Sequence, residues 1–234
     1  MPKMEVNPSA LSKAGNAASY AERVQRQVPG LQSLHQMVGV LLSERVSKDG
    51  HILVLGAGGG MELKALATQY KSWKFTGVDP SMDMLNQAAV TLGGDLERVT
   101  LVNGYIDDAP QGLFDGAVCL LTLHFLPLKE RLRTVREIFR RLDTRSPLIV
   151  AHHSFPLEGG QKDLWLNRYS EFISASGVDV HKSKSSIKAM REKLPVLTPT
   201  EDENILEDAG FGNIQLFYTA FTFKGWVAYK DNAI

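Results

Sequence analysis

Gly56, Gly58 and Gly60 alternate directly after the apolar run Ile52-Leu53-Val54-Leu55, and Asp79 closes the next apolar run, Phe75-Thr76-Gly77-Val78. These residue types at this spacing suit the binding of a nucleoside. Gly56 permits a sharp turn out of a strand, and Gly58 lets backbone approach a ligand with no Cβ in the way. Amides at the start of the following helix favour an anionic group. An acid ending the second strand, about 20 residues on, can accept hydrogen bonds from both hydroxyls of a ribose. The dinucleotide fingerprint places its third glycine one position later, where Met61 stands. A loop that closes at Gly60 favours a ligand without a pyrophosphate.

Other side chains admit a chemical and a plain reading. His124 follows the apolar run 115–121 at the expected ligand edge of the sheet, and reads as a general base or as a packed histidine. His152 and His153 follow a later strand, where neighbours point to opposite faces, so with no third ligand no metal site is expected. Arg26 would grip an acidic group or lie on the surface. Tyr20, Trp165 and Tyr169 would wall an apolar substrate pocket or fill core. Cys119, the only cysteine, reads as a buried thiol and excludes an intrachain disulfide. The basic stretch 181–193 reads as a solvated face.

These residues need a scaffold. Residues 9–28 read as a helix ended by Pro29-Gly30, and a second helix carries Leu31, Leu34, Val38, Leu41 and Leu42. From His51 onward, short apolar runs alternate with amphipathic helical stretches. That alternation predicts βαβ units and a parallel sheet buried on both faces. Residues 160–195 break the rhythm with an irregular, helix-leaning insertion. A helix beginning at Pro199 and two paired strands, with Lys224-Gly225 as their turn, complete the chain. The expected division is a helical extension over 1–49, a cofactor-binding core over 50–155, an insertion capping the substrate over 156–200, and a last helix with a strand pair over 201–234.

The chain has 234 residues, 44% of them hydrophobic, enough for one large α/β domain. Its 26 basic and 26 acidic residues cancel, so no global field draws it to nucleic acid or to an anionic membrane. The N-terminus lacks the apolar core of a signal peptide, and no apolar run approaches the ~20 residues that span a bilayer. A cytoplasmic enzyme with a small-molecule substrate is expected, with nucleic acid an unfavoured partner.

The segments Ile52 to Gly60, Gly77-Val78-Asp79-Pro80-Ser81-Met82 and Leu121-Thr122-Leu123-His124-Phe125-Leu126 resemble the ordered motifs of class I S-adenosylmethionine-dependent methyltransferases. The resemblance implies a Rossmann-like, seven-stranded, mostly parallel sheet with an antiparallel last strand and helices on both faces. It further implies that Gly56, Gly58 and Gly60 line the methionine moiety, that Asp79 holds the ribose, and that Ala57 and Leu121 also belong to the cofactor site. Pro80, Ser81, Tyr105 and Ile106 would frame the adenine, with Asp107 or Asp108 adding an acid. The acid that the family usually carries inside its first strand is Val54 here.

A closer similarity, through Gln25 to Gly30, the helix to Glu44, Thr122 to Leu126, and Ala209 to Lys230, is to the carboxy-S-adenosylmethionine synthases of bacterial tRNA wobble-uridine modification. It implies that Arg26 contacts the cofactor, and that the chain forms a homodimer. The tyrosine that follows the Pro-Gly pair in that branch is Leu31 here. Its carboxylate-gripping arginine falls near Ala189, with Lys188 and Arg191 alongside. Three functions follow: methyl transfer to a small molecule, a synthase-like reaction with the carboxylated cofactor, or cofactor binding without catalysis.

Overall fold

The computed structural model describes residues 14–231, with side chains from Ala21 onward except that of Lys182. Two helices lead, α1 (Ala14–Gln27) and α2 (Leu31–Ser43). The core follows as β1 (His51–Leu55), α3 (Met61–Gln69), β2 (Lys74–Asp79), α4 (Met82–Leu92), β3 (Val99–Asn103), β4 (Gly116–Leu120), α5 (Leu128–Arg141) and β5 (Pro147–His153). Helices α6 (Gln161–Ala175), α7 (Val180–Lys193) and α8 (Pro199–Asp208) precede the hairpin β6 (Gly212–Ala220) and β7 (Phe223–Tyr229). Of the first expected helix, residues 9–13 lie outside the described residues.

The strands form one seven-stranded sheet in the order β3-β2-β1-β4-β5-β7-β6. Strands β1 to β5 pair in parallel, and β7 is antiparallel to both β5 and β6. This is the expected Rossmann-like sheet with its antiparallel last strand. Period-two alternation divides the strand side chains between two cores. Ile52 and Val54 of β1 pack with Leu34, Val38 and Leu42 of α2 and Leu63 and Leu66 of α3. Leu53 and Leu55 pack instead with Val135 and Ile138 of α5 and Ile205 and Leu206 of α8. Both faces are therefore covered, which explains the continuous apolar runs.

Capping fixes where helices begin. The Ser81 hydroxyl accepts from Met84 N–H to start α4. Thr198 and Glu201 exchange hydrogen bonds in a capping box, with Pro199 at the first position of α8.

Two expectations need correction. The insertion is regular, two helices joined by a short turn at 176–179, and Tyr169 and Ile173 of α6 enter the core. The hairpin turns at Phe221-Thr222, because Lys224 and Gly225 already pair with Thr219 and Tyr218. Gly225 is a packing glycine: a Cβ there would meet Ala151 Cβ and the Phe217 ring at 3.2 Å.

Candidate cofactor site

Strands β1, β2 and β4 run in parallel, so the loops after Leu55, Asp79 and Leu120 share one edge of the sheet. Strand order reverses between β1 and β4, where this architecture opens its ligand crevice. Gly56, Gly58 and Gly60 take φ of 75°, 47° and 79°, which favour glycine. A Cβ on Gly56 would lie 2.0 Å from Thr122 Oγ1, and one on Gly60 would lie 2.9 Å from Ala88 Cα. Two of the three glycines are thus required by close packing as well as by φ. Leu121 adopts φ 55°, a strained left-handed conformation for a non-glycine residue. Its N–H donates to Ala151 O at 2.6 Å, fixing the turn after β4.

Asp79 joins the two loops. Its Oδ2 accepts from Gly58 N–H and its Oδ1 from Ser81 N–H, both at 2.9 Å. Each oxygen retains a lone pair for a ligand hydroxyl. Asn103 Nδ2 donates to the carbonyls of Asp79 and Pro80, which holds the end of β2.

Two connected recesses open here. One, of about 180 Å³, is lined by Gly56, Gly58, Gly59, Glu62, Asp79, Leu121 and Thr122 from the core, with Val24, Leu31 and His35 from α1 and α2. The other, of about 580 Å³, is lined by Pro80, Tyr105, Ile106, Asp107 and Arg133, and shares Gly56, Asp79, Thr122 and Phe125 with the first. Tyr105 and Phe125 are 62% and 64% exposed there, a large solvent-facing apolar area beside a cavity. Of the two candidate acids, Asp107 faces this recess and pairs with Arg133, while Asp108 accepts from Tyr105 N–H and holds its own loop.

The structure brings Gly56, Gly58, Asp79, Pro80, Tyr105, Ile106 and Leu121 together around the recesses. Ala57 and Gly60 are buried in the loop, and Ser81 contributes its amide and its cap. Arg26 is elsewhere: its Nη1 donates to Gly177 O, between α6 and α7, and it lines neither recess. Lys188 is exposed on α7, and Arg191 pairs with Asp163 at 2.8 Å. Tyr169 packs against His153 and Phe223, and Trp165 lies under Arg168 and Lys224. The Tyr20 side chain lies outside the described residues.

His124 is also removed from the recesses. It is buried, and its Nδ1 accepts from His153 N–H at 3.2 Å. Burial, with His153, His152 and Arg131 nearby, holds its pKa well below the ordinary histidine value. A base must reach a substrate proton, and this ring has no face on either cavity. His153 is likewise pushed down, to about 3, by burial and by His152. His152 points to the other face of β5, with Nε2 at 3.2 Å from Asp202 Oδ1. Among the described residues no group of three or more His, Cys, Asp or Glu is arranged to hold a metal. Cys119 is buried, and its thiol is pushed up to about 12, chiefly by desolvation.

Glu62, His35, Thr122 and Phe125 line the site although their types and spacing did not single them out. Glu62 stands in the first turn after the glycine loop, and that placement was the available signal.

The fold is the Rossmann-like sheet of methyltransferase structures, and residues 52–145 match the family model described as a methyltransferase domain. Over 92% of its length the chain is 27% identical to the carboxy-S-adenosyl-L-methionine synthase of Chromohalobacter salexigens, covering 81% of that relative. It is 24% identical to the synthase of the same name from Haemophilus ducreyi, over 91% of this chain and 89% of that one. Among solved structures, human N-acetylserotonin methyltransferase in complex with SAM superposes with a TM-score of 0.60 at 17% identity, over 99% of this chain. The present chain spans 61% of that longer chain, and the likeness is one of fold. No helix among the described residues is long and apolar enough to cross a membrane.

Proposed function

We propose that the chain is an S-adenosylmethionine-dependent methyltransferase acting on a small-molecule acceptor. The observation that carries this reading is the lining of the smaller recess: Asp79 and Glu62 supply acids, and no lysine or arginine among the described residues faces it. A cofactor bearing a sulfonium and an ammonium suits such a wall. The glycine cradle fits the same ligand, since Gly56 and Gly58 leave backbone where side chains would block a close approach.

When bound, the cofactor would supply an activated methyl group for an acceptor nucleophile, with the thioether as its leaving group. The chain's own residues position and enclose. Asp79 accepts from the ribose hydroxyls, and Tyr105 and Phe125 flank the base. Val24 and Leu31, with Leu121, close the smaller recess with apolar surface and exclude water. Positioning is the main catalytic requirement for such a displacement. His124 has no part in this reading, because its buried ring cannot reach the acceptor.

A second reading is favoured by the relatives' shared name. A chain using the carboxylated cofactor needs a cation for the added carboxylate. Arg26, Lys188 and Arg191 are the candidates, and each would have to leave its present position.

Mass spectrometry of small molecules released on denaturing the freshly purified protein tests both. S-adenosylmethionine or S-adenosylhomocysteine is expected. A carboxylated form would establish the second reading in its place. A nicotinamide dinucleotide would overturn both.

A further inference from the structure

The recess contains two carboxyl groups in very different states. Asp79 is held by two backbone amides and sits at the ribose position. Glu62, in the first turn of α3, faces the same cavity at 9% exposure, and among the described residues its hydrogen-bond partner is its own backbone amide. The titratable groups around it are Asp79 from β2, His35 from α2 and Cys119 from β4. None of these brings a positive charge: His35 is pushed down to about 4 by burial, and Cys119 is a buried thiol.

Burying a carboxyl group without a cation or a full set of donors costs stability, so such a group is retained where a ligand supplies what is missing. Strand β1 offers nothing in its place, since Val54 packs into the core with Ile52. Glu62 is therefore the acceptor at the glycine-loop end of the cavity, in the smaller recess, whereas Tyr105 lines only the other recess, where a base would sit. The ligand group that belongs beside the glycine loop is the amino-acid end of the cofactor.

We propose that Glu62 receives the ammonium of the cofactor's methionine moiety and gives up its proton to solvent as that ammonium arrives. The inference rests on the cofactor reading above and assigns a residue within that site. The balance is simple: a neutral carboxylic acid becomes a carboxylate, one proton goes to solvent, and the buried site gains an ion pair. Burial, with Asp79 nearby, raises the Glu62 pKa to about 8 in the free protein, so the proton is present to be released near neutral pH.

Two ligands separate this role from the rest of the site. S-adenosylhomocysteine carries the ammonium, whereas 5′-methylthioadenosine keeps the nucleoside and the thioether and lacks the amino-acid group. Calorimetric titration at pH 7, in buffers of different ionisation enthalpy, reads both affinity and protons exchanged. The wild type should release about one proton with S-adenosylhomocysteine and none with 5′-methylthioadenosine. Glu62→Gln, nearly isosteric and neutral, should abolish the release. It should weaken S-adenosylhomocysteine roughly 10- to 100-fold and leave 5′-methylthioadenosine within about twofold.

If the wild type binds both ligands without releasing protons, or the variant weakens both alike, Glu62 is not the ammonium receptor and the cofactor reading survives. If the wild type binds neither ligand, the cofactor reading falls and this assignment falls with it.

Discussion

The recess beside β1 and β2 and the histidine cluster beside β4 and β5 carry similar chemical potential and are built in opposite ways. Around the recess, positive-φ glycines, a strained Leu121 and two partly wetted aromatics keep backbone and side chains open to a ligand. In the cluster, His124, His152 and His153 are sealed by Phe223, Tyr169 and Trp226, and Arg131 and Asp202 form a buried pair at 2.5 Å. Histidines at the right edge of a sheet do not make a site when packing removes every path to them. Access decides, and access comes from the glycine loop and from the missing side-chain bulk around it.

Breaking the sealed region should have the largest effect. Arg131→Ala removes the cation paired with buried Asp202, leaving that carboxylate with the His152 ring between β5 and α8, and also removes donors to the carbonyls of Leu126 and Pro195. A loss of about 3–5 kcal/mol is expected in chemical denaturation, with cofactor affinity nearly retained in the fraction that stays folded. A strong loss of affinity at unchanged stability would mean that the cluster belongs to the site.

Breaking the open region should spare stability more than binding. Asp79→Ala removes the ribose acceptor and frees the amides of Gly58 and Ser81. S-adenosylmethionine affinity should fall about 100-fold by calorimetry, in line with lost charge-assisted hydrogen bonds. Unchanged affinity would remove Asp79 from the site.

The two regions should also part in pH dependence. His35, His124 and His153 fold with pKa values below the ordinary 6.5, so their contribution is complete above pH 6.5 and is lost as pH falls, through about 4 for His35 and about 3 for His153. Each contributes a slope of roughly 1.4 kcal/mol per pH unit while the unfolded chain takes up a proton that the folded chain does not. Glu62 has the opposite sign: raised from 4.5 to about 8, its contribution is present below pH 4.5 and is lost as pH rises through 8. Stability measured by urea midpoints should therefore peak near pH 6.5. Glu62→Gln should flatten the decline between pH 6.5 and 8, and an unchanged decline would mean that Glu62 is not the group responsible.

The smallest expected effect sharpens the contrast. His124→Gln keeps an acceptor for His153 N–H and should leave cofactor affinity within about twofold. A tenfold loss in calorimetry would reopen a ligand role for His124.

Much of this was legible in the sequence because its causes are local. The glycine spacing, the apolar run before it and the acid ending the second strand each specify a backbone path within a few residues, and they led to the loop and Asp79. The continuous apolar strands likewise announced a sheet covered on both faces. What escaped depends on distant partners. Arg131 reads as an ordinary surface charge on α5, and its burial follows only from Asp202, 71 residues away. Phe125 and His35 gain meaning only when β4 and α2 reach the same edge. The hairpin turn was misplaced because Gly225 is demanded by Ala151 and Phe217 across the sheet rather than by a turn.

A crystal structure of the protein with S-adenosylhomocysteine tests the central claim most directly. The account predicts the ribose hydroxyls on Asp79, the base between Tyr105 and Phe125, and the amino-acid end against the glycine loop and Glu62. A ligand seated away from the glycine loop and Asp79, or against His124, would contradict it.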